Sequence, residues 1–378
     1  MSTLKVGGIR GVSASSDAIT VANDGTATGN FTNRKGKNLV INGAMEVAQR
    51  GTSSTSGGYQ TVDRIEVGFA DTDENPTQSQ VDVASGTTPY TSGFRKAYRI
   101  TNGNQTSGAG TSDIIDIKYS IESQDVAKSG WNYTSSSSNV TLQFWIKSSV
   151  AQNFFGHLVT NDGTSQNYPF ETGSLSADTW TKVTKTIPGN SNLQFDNDTG
   201  KGLEIRILPF AGTGRTASSA TLNQWAAYDG AARTPDNTST WYTTNDATLE
   251  ITGVQLEVGS VATDFEFRSF HEELLKCFRY YNKKNPGYGR IGHCITGTSI
   301  VFTMDLPCEM RASPTITNEG GLYFATQNGV ALGLTGISHG SAATTTARIT
   351  LDVNSNGSAG NNAFIWSGNT FYILDSEL

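Results

Sequence analysis

The nine residues Asn139–Lys147 alternate without a break. Val140, Leu142, Phe144 and Ile146 fall on one side of an extended chain, and Thr141, Gln143, Trp145 and Lys147 on the other. Wound as a helix they would scatter round the circumference, so the pattern buries an apolar face only as a strand. Leu203, Ile205 and Ile207 oppose Glu204, Arg206 and Leu208 in the same way. Arg64–Phe69, Lys96–Thr101, Ile114–Ile121, Thr181–Ile187 and Thr248–Val258 are further strand candidates. Gly/Ser/Thr/Asn stretches such as Gly51–Gly58, Gly103–Ser112 and Ser135–Asn139 separate them. Many short strands with almost no helix predict a mainly β chain, with a jelly-roll β-sandwich over residues 38–268.

Composition narrows the partners. Thr (49), Ser (38), Asn (28) and Gly (41) make up about two-fifths of the 378 residues, and charged residues only 16%. Soluble domains carry about 25% charge, so neutral polar groups stand in for it here. The 17 Phe, 13 Tyr and 6 Trp argue against disorder. The net charge is −7, and basic residues cluster only as Arg34-Lys35 with Lys37 and as Lys283-Lys284, which argues against broad nucleic-acid binding. No segment reaches the roughly 20 apolar residues of a membrane span. Met1–Lys5 shows no apolar run of a signal peptide. Cys277, Cys294 and Cys308 are odd in number and far apart, so structural thiols made in a reducing cytosol are expected rather than a disulfide framework.

The chain divides into four regions. Residues 1–37 are small and polar, with a turn signal at Asn23-Asp24-Gly25, and read either as a flexible tail or as an anchoring arm ordered by another chain. The sandwich comes next. Over 269–286 a linking helix is expected, with a capping box at Ser269 and Glu272, a stripe of Phe270, Leu274, Leu275, Phe278 and Tyr281, a Glu272–Lys276 pair, and a stop at Asn285-Pro286-Gly287. Residues 287–378 form a second, C-terminal β domain. Its candidate strands are Ile291–Ile295, Ile300–Asp305, Thr315–Thr317, Leu322–Thr326, Ala347–Val353, Phe364–Trp366 and Thr370–Leu374, and CEMRAS loops between Pro307 and Pro314.

Two segments carry a resemblance. One is Lys37–Thr52, KNLVINGAMEVAQRGT, followed by Thr61-Val62-Asp63-Arg64; the other is Gly253–Glu266, GVQLEVGSVATDFE, running into Arg268-Ser269-Phe270 and the Glu272–Tyr281 helix. Together they resemble the opening and closing of a domain in tail-fibre and receptor-binding proteins of marine tailed phages, and Ile373–Leu378 is similar to the ends of such fibres. The resemblance implies a jelly roll like those of carbohydrate-binding modules within a homotrimeric virion fibre. It also implies an N-terminus that meets tail adaptor or nozzle proteins and a distal C-terminal domain that meets host polysaccharide or receptor. Ile65 follows the Asp63-Arg64 pair where such proteins often carry an aromatic, so no ring stacking carries over to that position.

Candidate chemistry is sparse. Gly336-Ile337-Ser338-His339-Gly340 has the letters of a nucleophile elbow, but a Thr-rich stretch comes after it instead of a helix, so it reads as a Gly-rich loop. Gly287–Gly292 has the dinucleotide fingerprint in the wrong order of elements and reads as a linker. His157, His271, His293 and His339 are scattered. Asp113 with Asp116, or Asp196 with Asp198, would have to face each other across a sugar for hydrolysis, and nothing in the sequence brings them to one cleft. Asp196 and Asp198, and Asp71 and Asp73, could as oxygen-rich turns hold a structural Ca²⁺ or simply be solvated. The ligand candidates are loop aromatics: Trp225, Tyr228, Trp241 and Tyr242 in the sandwich, and Tyr323, Trp366, Phe371 and Tyr372 in the C-terminal region. Such rings stack on sugars, or else pack sandwich ends and subunit contacts. Trp145, on the polar side of its strand, packs under a loop or meets another subunit. The expected function is a phage tail fibre that binds host glycan without catalysis, located in the virion tail after assembly in the host cytoplasm. The alternatives are a capsid fibre, decoration protein or tail adaptor, and a virion-associated glycan hydrolase.

Overall fold

The computed structural model describes residues 6–13, 19–21, 27–29, 35–285, 290–319, 323–327, 330–332, 334–354, 357–367 and 371–378. The expected turn at Asn23–Gly25, residues 287–289 and the turn after Ser367 lie outside these residues, while Arg290-Ile291-Gly292, expected in a linker, opens a strand. In chain order the arm carries β1 (Gly8–Ile9), β2 (Ile19–Val21) and β3 (Ala27–Gly29). The next region holds β4 (Ser53–Ser54), β5 (Ile65–Ala70), β6 (Thr77–Asp82), α1 (Thr88–Thr91), β7 (Lys96–Thr101), β8 (Ile114–Glu122), α2 (Ser123–Ala127) and β9 (Asn139–Ser148). It continues with β10 (Asn153–Thr160), β11 (Gln166–Ser174), β12 (Thr181–Pro188), β13 (Lys201–Ala211), β14 (Ala226–Ala227) and β15 (Thr248–Val258). After α3 (Phe270–Phe278) come β16 (Tyr281–Lys284), β17 (Arg290–Thr296), β18 (Ser299–Asp305), β19 (Thr315–Glu319) and β20 (Tyr323–Gln327). The last are β21 (Val330–Leu332), β22 (Leu334–Ala342), β23 (Thr346–Val353), β24 (Asn362–Ser367) and β25 (Phe371–Asp375).

The protein is mainly β, a jelly-roll-like sandwich of two six-stranded antiparallel sheets in the orders β14-β11-β10-β13-β8-β5 and β12-β9-β15-β7-β6-β4. The alternating strands face each other across it. Val140, Leu142, Phe144 and Ile146 of β9 meet Ile115, Ile117 and Tyr119 of β8 and Leu203, Ile205 and Ile207 of β13 in one core. Because the strand period is two, the second set of β9 side chains must face outward.

The two segments that carry the resemblance are bonded to each other. Leu39 N–H donates to Leu256 O at 2.9 Å and Val254 N–H to Gly43 O at 2.9 Å. Asn38 Nδ2 donates to Val254 O at 3.2 Å, and Asn38 Oδ1 accepts from Leu256 N–H at 3.1 Å. A Cβ on Gly43 would run into the Val254 carbonyl, and Gly253 holds φ +65° at a bulge in β15. Both glycines are therefore required by backbone approach and conformation.

The helix forms where its cap predicts. Ser269 Oγ accepts from Glu272 N–H, and Glu272 reaches back to the Ser269 backbone. That geometry takes Glu272 away from Lys276, so the expected i,i+4 pair does not form. The helix also ends at Phe278 rather than running to 285, and Tyr281 begins a strand. Its buried residues are Glu273 and Cys277, while Phe270 and Leu275 stay 58% and 38% exposed. Glu273 is drawn in because it accepts from the Asn42 backbone and pairs with Arg268 at 3.4 Å.

A buried ionic seam fastens the C-terminal strands to the sandwich. Arg279 forks Glu122 with two bonds of 2.7 Å, and Tyr280 Oη donates to the same carboxylate at 2.6 Å. Arg64, fully buried, pairs with Glu377 and lies 3.5 Å from the Tyr280 ring centroid. Arg50 pairs with Asp375 at 3.2 Å and Glu377 at 3.3 Å and lies over Tyr281 at 3.5 Å. β16 and the last strand, β25, pair from Tyr281↔Asp375, so this part of the chain both begins and ends at the seam.

Beyond the seam, a three-stranded sheet (β16-β25-β19) and a seven-stranded one (β21-β20-β24-β17-β18-β23-β22) share a core of Cys294, Ile300, Ile349, Leu351, Ile365, Tyr372 and Leu374. On the outer face of the larger sheet, Ile291 pairs with Phe364; these and Ile295 are 61%, 51% and 46% exposed. The arm is a small antiparallel meander, β1-β2-β3, with Val6, Ile9 and Val12 exposed.

Candidate glycan-binding surface

Several expected ligand rings are structural. Trp241 is wholly buried, edge-on to Phe154, with Nε1 donating to Thr248 O at 3.0 Å. Tyr242 stacks on Phe210 at a centroid distance of 4.2 Å and donates to Asp113 at 2.9 Å. Their loop folds back because the Asn102 amide gathers the carbonyls of Trp241, Tyr242 and Thr244, so the rings drop into the sandwich end. Trp225 is half-buried against Tyr168 and donates to Pro188 O at 2.7 Å; it closes the rim of the core. Tyr228 is half-buried, its N–H bonded to Ser165 O at 2.8 Å. Tyr372 is a core residue packed edge-on to Phe302. Phe371 is half-buried beneath Lys283, with Nζ 5.1 Å from the ring. Tyr323 and Trp366 lie on the paired strands β20 and β24, and their side chains are outside the described residues.

The acidic turns cap backbone rather than converge. Asp73 accepts from Ser107 N–H at 2.6 Å and Ser107 Oγ at 2.8 Å, which holds its carboxyl below the usual range. Asp71 pairs with Arg215 at 3.6 Å. Asp198 accepts from Gly200 N–H at 2.8 Å, and Asp196 accepts from Gln194 Nε2 at 2.7 Å. Among the described residues no three His, Cys, Asp or Glu side chains come together as a metal group. Ser338, expected in a loop, lies inside β22 opposite Thr350; a strand on both sides of the serine is not the strand-turn-helix of an elbow.

The outer face of the sheet that holds β13 is closed. Residues 212–247 cross it, with Asn167 Nδ2 bonded to Arg233 O at 2.8 Å and Asn223 N–H to Pro169 O at 2.8 Å. Beneath lie Asp116, Glu204 and Arg206, with Arg206 bonded to Glu204 at 2.6 Å and Asp116 at 3.2 Å. His157 is buried there against Asn167 at 2.6 Å; burial, and then Arg206, push its ring down to about 3, so it stays neutral.

The other outer face is partly open. The segment 258–268 crosses one end, with Gln143 Nε2 bonded to Thr263 O at 2.7 Å and Gln255 accepting from Glu266 N–H at 2.8 Å. Trp145 stands beyond it, half-buried, between Lys182 of β12 and Thr252 of β15. Trp180 precedes β12 and lies under Lys147, with Nζ 5.2 Å from the ring. Both indoles pack on Val83, Phe94 and Ala97, alongside Tyr90. Glu250 fixes the polar side of the strip, pairing with Lys147 at 2.9 Å and Arg99 at 2.6 Å. Half-exposed rings beside ordered hydrogen-bond donors can take the C–H face of a sugar and its hydroxyls together. Sequence reasoning singled out Trp145 but passed over Trp180 and Tyr90. The adjacency of Trp180 to the alternating run Thr181–Ile187 was the available signal.

No protein-family model matches the sequence, and no curated protein is similar to it. Among solved structures, the chain is similar to the enzymatically active domain of tailspike protein 4 of bacteriophage CBA120 at 9% identity and a TM-score of 0.30; the match covers 59% of this chain but only 21% of that one. It is similar to a CBM4 structure at 13% identity and TM-score 0.28, covering 58% and 98% of the two chains. It is also similar to the CBM22-1–CBM22-2 tandem of Paenibacillus barcinonensis Xyn10C, at 8% identity and TM-score 0.28 over 92% and 98%.

Proposed function

We propose that the protein is a tailed-phage tail fibre that holds host surface glycan through the open sandwich face. The observation that carries the binding reading is the pair of half-buried indoles, Trp145 and Trp180, beside Lys147, Glu250 and Arg99 on an outward strand face. The paired segments 37–52 and 253–266 support the fibre reading through their resemblance to such proteins. In this reading residues 1–37 attach to tail adaptor or nozzle proteins, and three copies assemble in the host cytoplasm. Weak single contacts add up by avidity, and no bond in the glycan is broken.

Affinity electrophoresis against a panel of neutral and acidic polysaccharides tests the binding. W145A/W180A should lose most affinity, since stacking rings contribute about 0.5–1.5 kcal/mol each beyond burial. Unchanged retention of the double variant would overturn the site. Immunogold labelling of particles tests the location, and label on capsid faces would overturn the tail assignment.

A further inference from the structure

Where residues 35–41 meet the sandwich, the end of α2 and α3 complete a cleft of about 340 Å³, within the size range of small-ligand sites. Five of its lining side chains are cationic, Lys35, Lys37, Lys128, Arg268 and Lys276, in a chain of net charge −7. Two of the five are engaged. Lys37 Nζ donates to Thr263 Oγ1 and Asp264 O at 2.5 Å each, and Arg268 pairs with Glu266 at 3.2 Å and Glu273 at 3.4 Å. The other three, Lys35, Lys128 and Lys276, are exposed, and among the described residues no carboxylate ion-pairs with them. Lys276 is left so because the capping box holds Glu272 at Ser269.

We infer that this cleft binds an acidic saccharide, with a carboxylate or sulfate ester seated among Lys35, Lys128 and Lys276. The inference rests on the glycan-binding reading and adds a second site of different chemistry. Lysine ammonium groups act as point charges for a compact anion, and a cleft concentrates their field. Leu39 and Val258 give the lining an apolar part for the C–H face of the ring, and Asp125 offers an acceptor for a hydroxyl. A nucleic-acid strand fits less well, because the lining carries no aromatic ring for a base to stack on.

The test compares polygalacturonate with its methyl-esterified form, and dextran sulfate with dextran, by affinity electrophoresis. The proteins are wild type, K128Q/K276Q, K128E/K276E and W145A/W180A, each checked by a thermal melt. K128Q/K276Q should weaken acidic-polymer binding roughly ten-fold, K128E/K276E further, and added salt should do the same. Binding of the neutral polymers should be unchanged in both lysine variants and lost in W145A/W180A. Undiminished acidic binding by K128E/K276E would overturn the cleft and leave the glycan reading standing. A wild type that retains none of the polymers would overturn both. Tighter lysine-dependent binding of a single-stranded DNA would overturn the saccharide class.

Discussion

At the seam between the sandwich and the C-terminal strands, charge is inside; a few residues along the chain, apolar groups are outside. Arg64 and Glu122 are 1% and 0% exposed, whereas Phe270 and Phe364 are 58% and 51% exposed. In a chain with only 16% charged residues this inverts the usual arrangement. The difference lies in partners. Each seam charge has an opposite charge, a ring face or a carbonyl: Arg64 has Glu377, Tyr280 and Ser120 O, and Glu122 has Arg279, Tyr280 and Gln124. The exposed rings have no such demand, and a surface of this kind suits contact with another chain. Directional pairs give the seam one geometry, while the outer faces remain available for assembly.

The contrast between seam and surface would break first at Arg64. R64M takes from buried Glu377 one of its two cationic partners, leaving Arg50 at 3.3 Å, and should cost about 3 kcal/mol, read as a fall in the denaturant midpoint. A loss below about 1 kcal/mol would mean the seam behaves like a surface pair.

The next test is pH. Burial pushes Asp63 up to about 6, above its unfolded value near 4, so the folded state holds that proton more tightly. Its contribution favours folding below about pH 4 and falls by roughly 3 kcal/mol as pH rises to about 6. Glu122 works in the opposite sense. Burial raises it, but hydrogen bonds from Arg279 and Tyr280 outweigh that and hold it low. Its stabilisation is present above its unfolded pKa and is lost on acidification. In urea titrations between pH 4 and 7, D63N should be stabilised relative to wild type as pH rises, and E122Q destabilised. Parallel curves for D63N and wild type would show that Asp63 is ionised throughout.

Smaller effects sharpen the contrast. Ser269→Ala removes the helix cap and should cost about 1 kcal/mol, seen as a modest fall in Tm. F270S/F364S should change stability by less than about 1 kcal/mol, because each ring is more than half exposed. The same variant should shift light scattering toward monomer. A pure wild-type monomer would remove the proposed trimer.

The strands were legible where their faces differ. Lys96–Thr101 and Thr248–Val258 run as read, and Val140–Lys147 sits within β9. β10, with Phe154 to Thr160 all buried, has no alternation to read, because its outer face is covered as well. β22 looked like a loop because Gly336 and Gly340 are turn residues by habit; its pairing with β23 overrides that. For the site, Trp145 was visible as an aromatic out of phase with its core. Trp241 and Tyr242 were not distinguishable from free loop rings, because what buries them is a fold-back made by Asn102, far away in sequence.

By itself the sequence determined the class of fold and the helix cap, since period and capping are local properties. Which strand face stays open and which rings sink were decided only by tertiary structure. Those outcomes depend on segments that cross the sheets from 66 and 120 residues away, Arg233 over Asn167 and Thr263 over Gln143, and on a C-terminus that returns to Arg50 and Arg64. No local pattern encodes such a meeting.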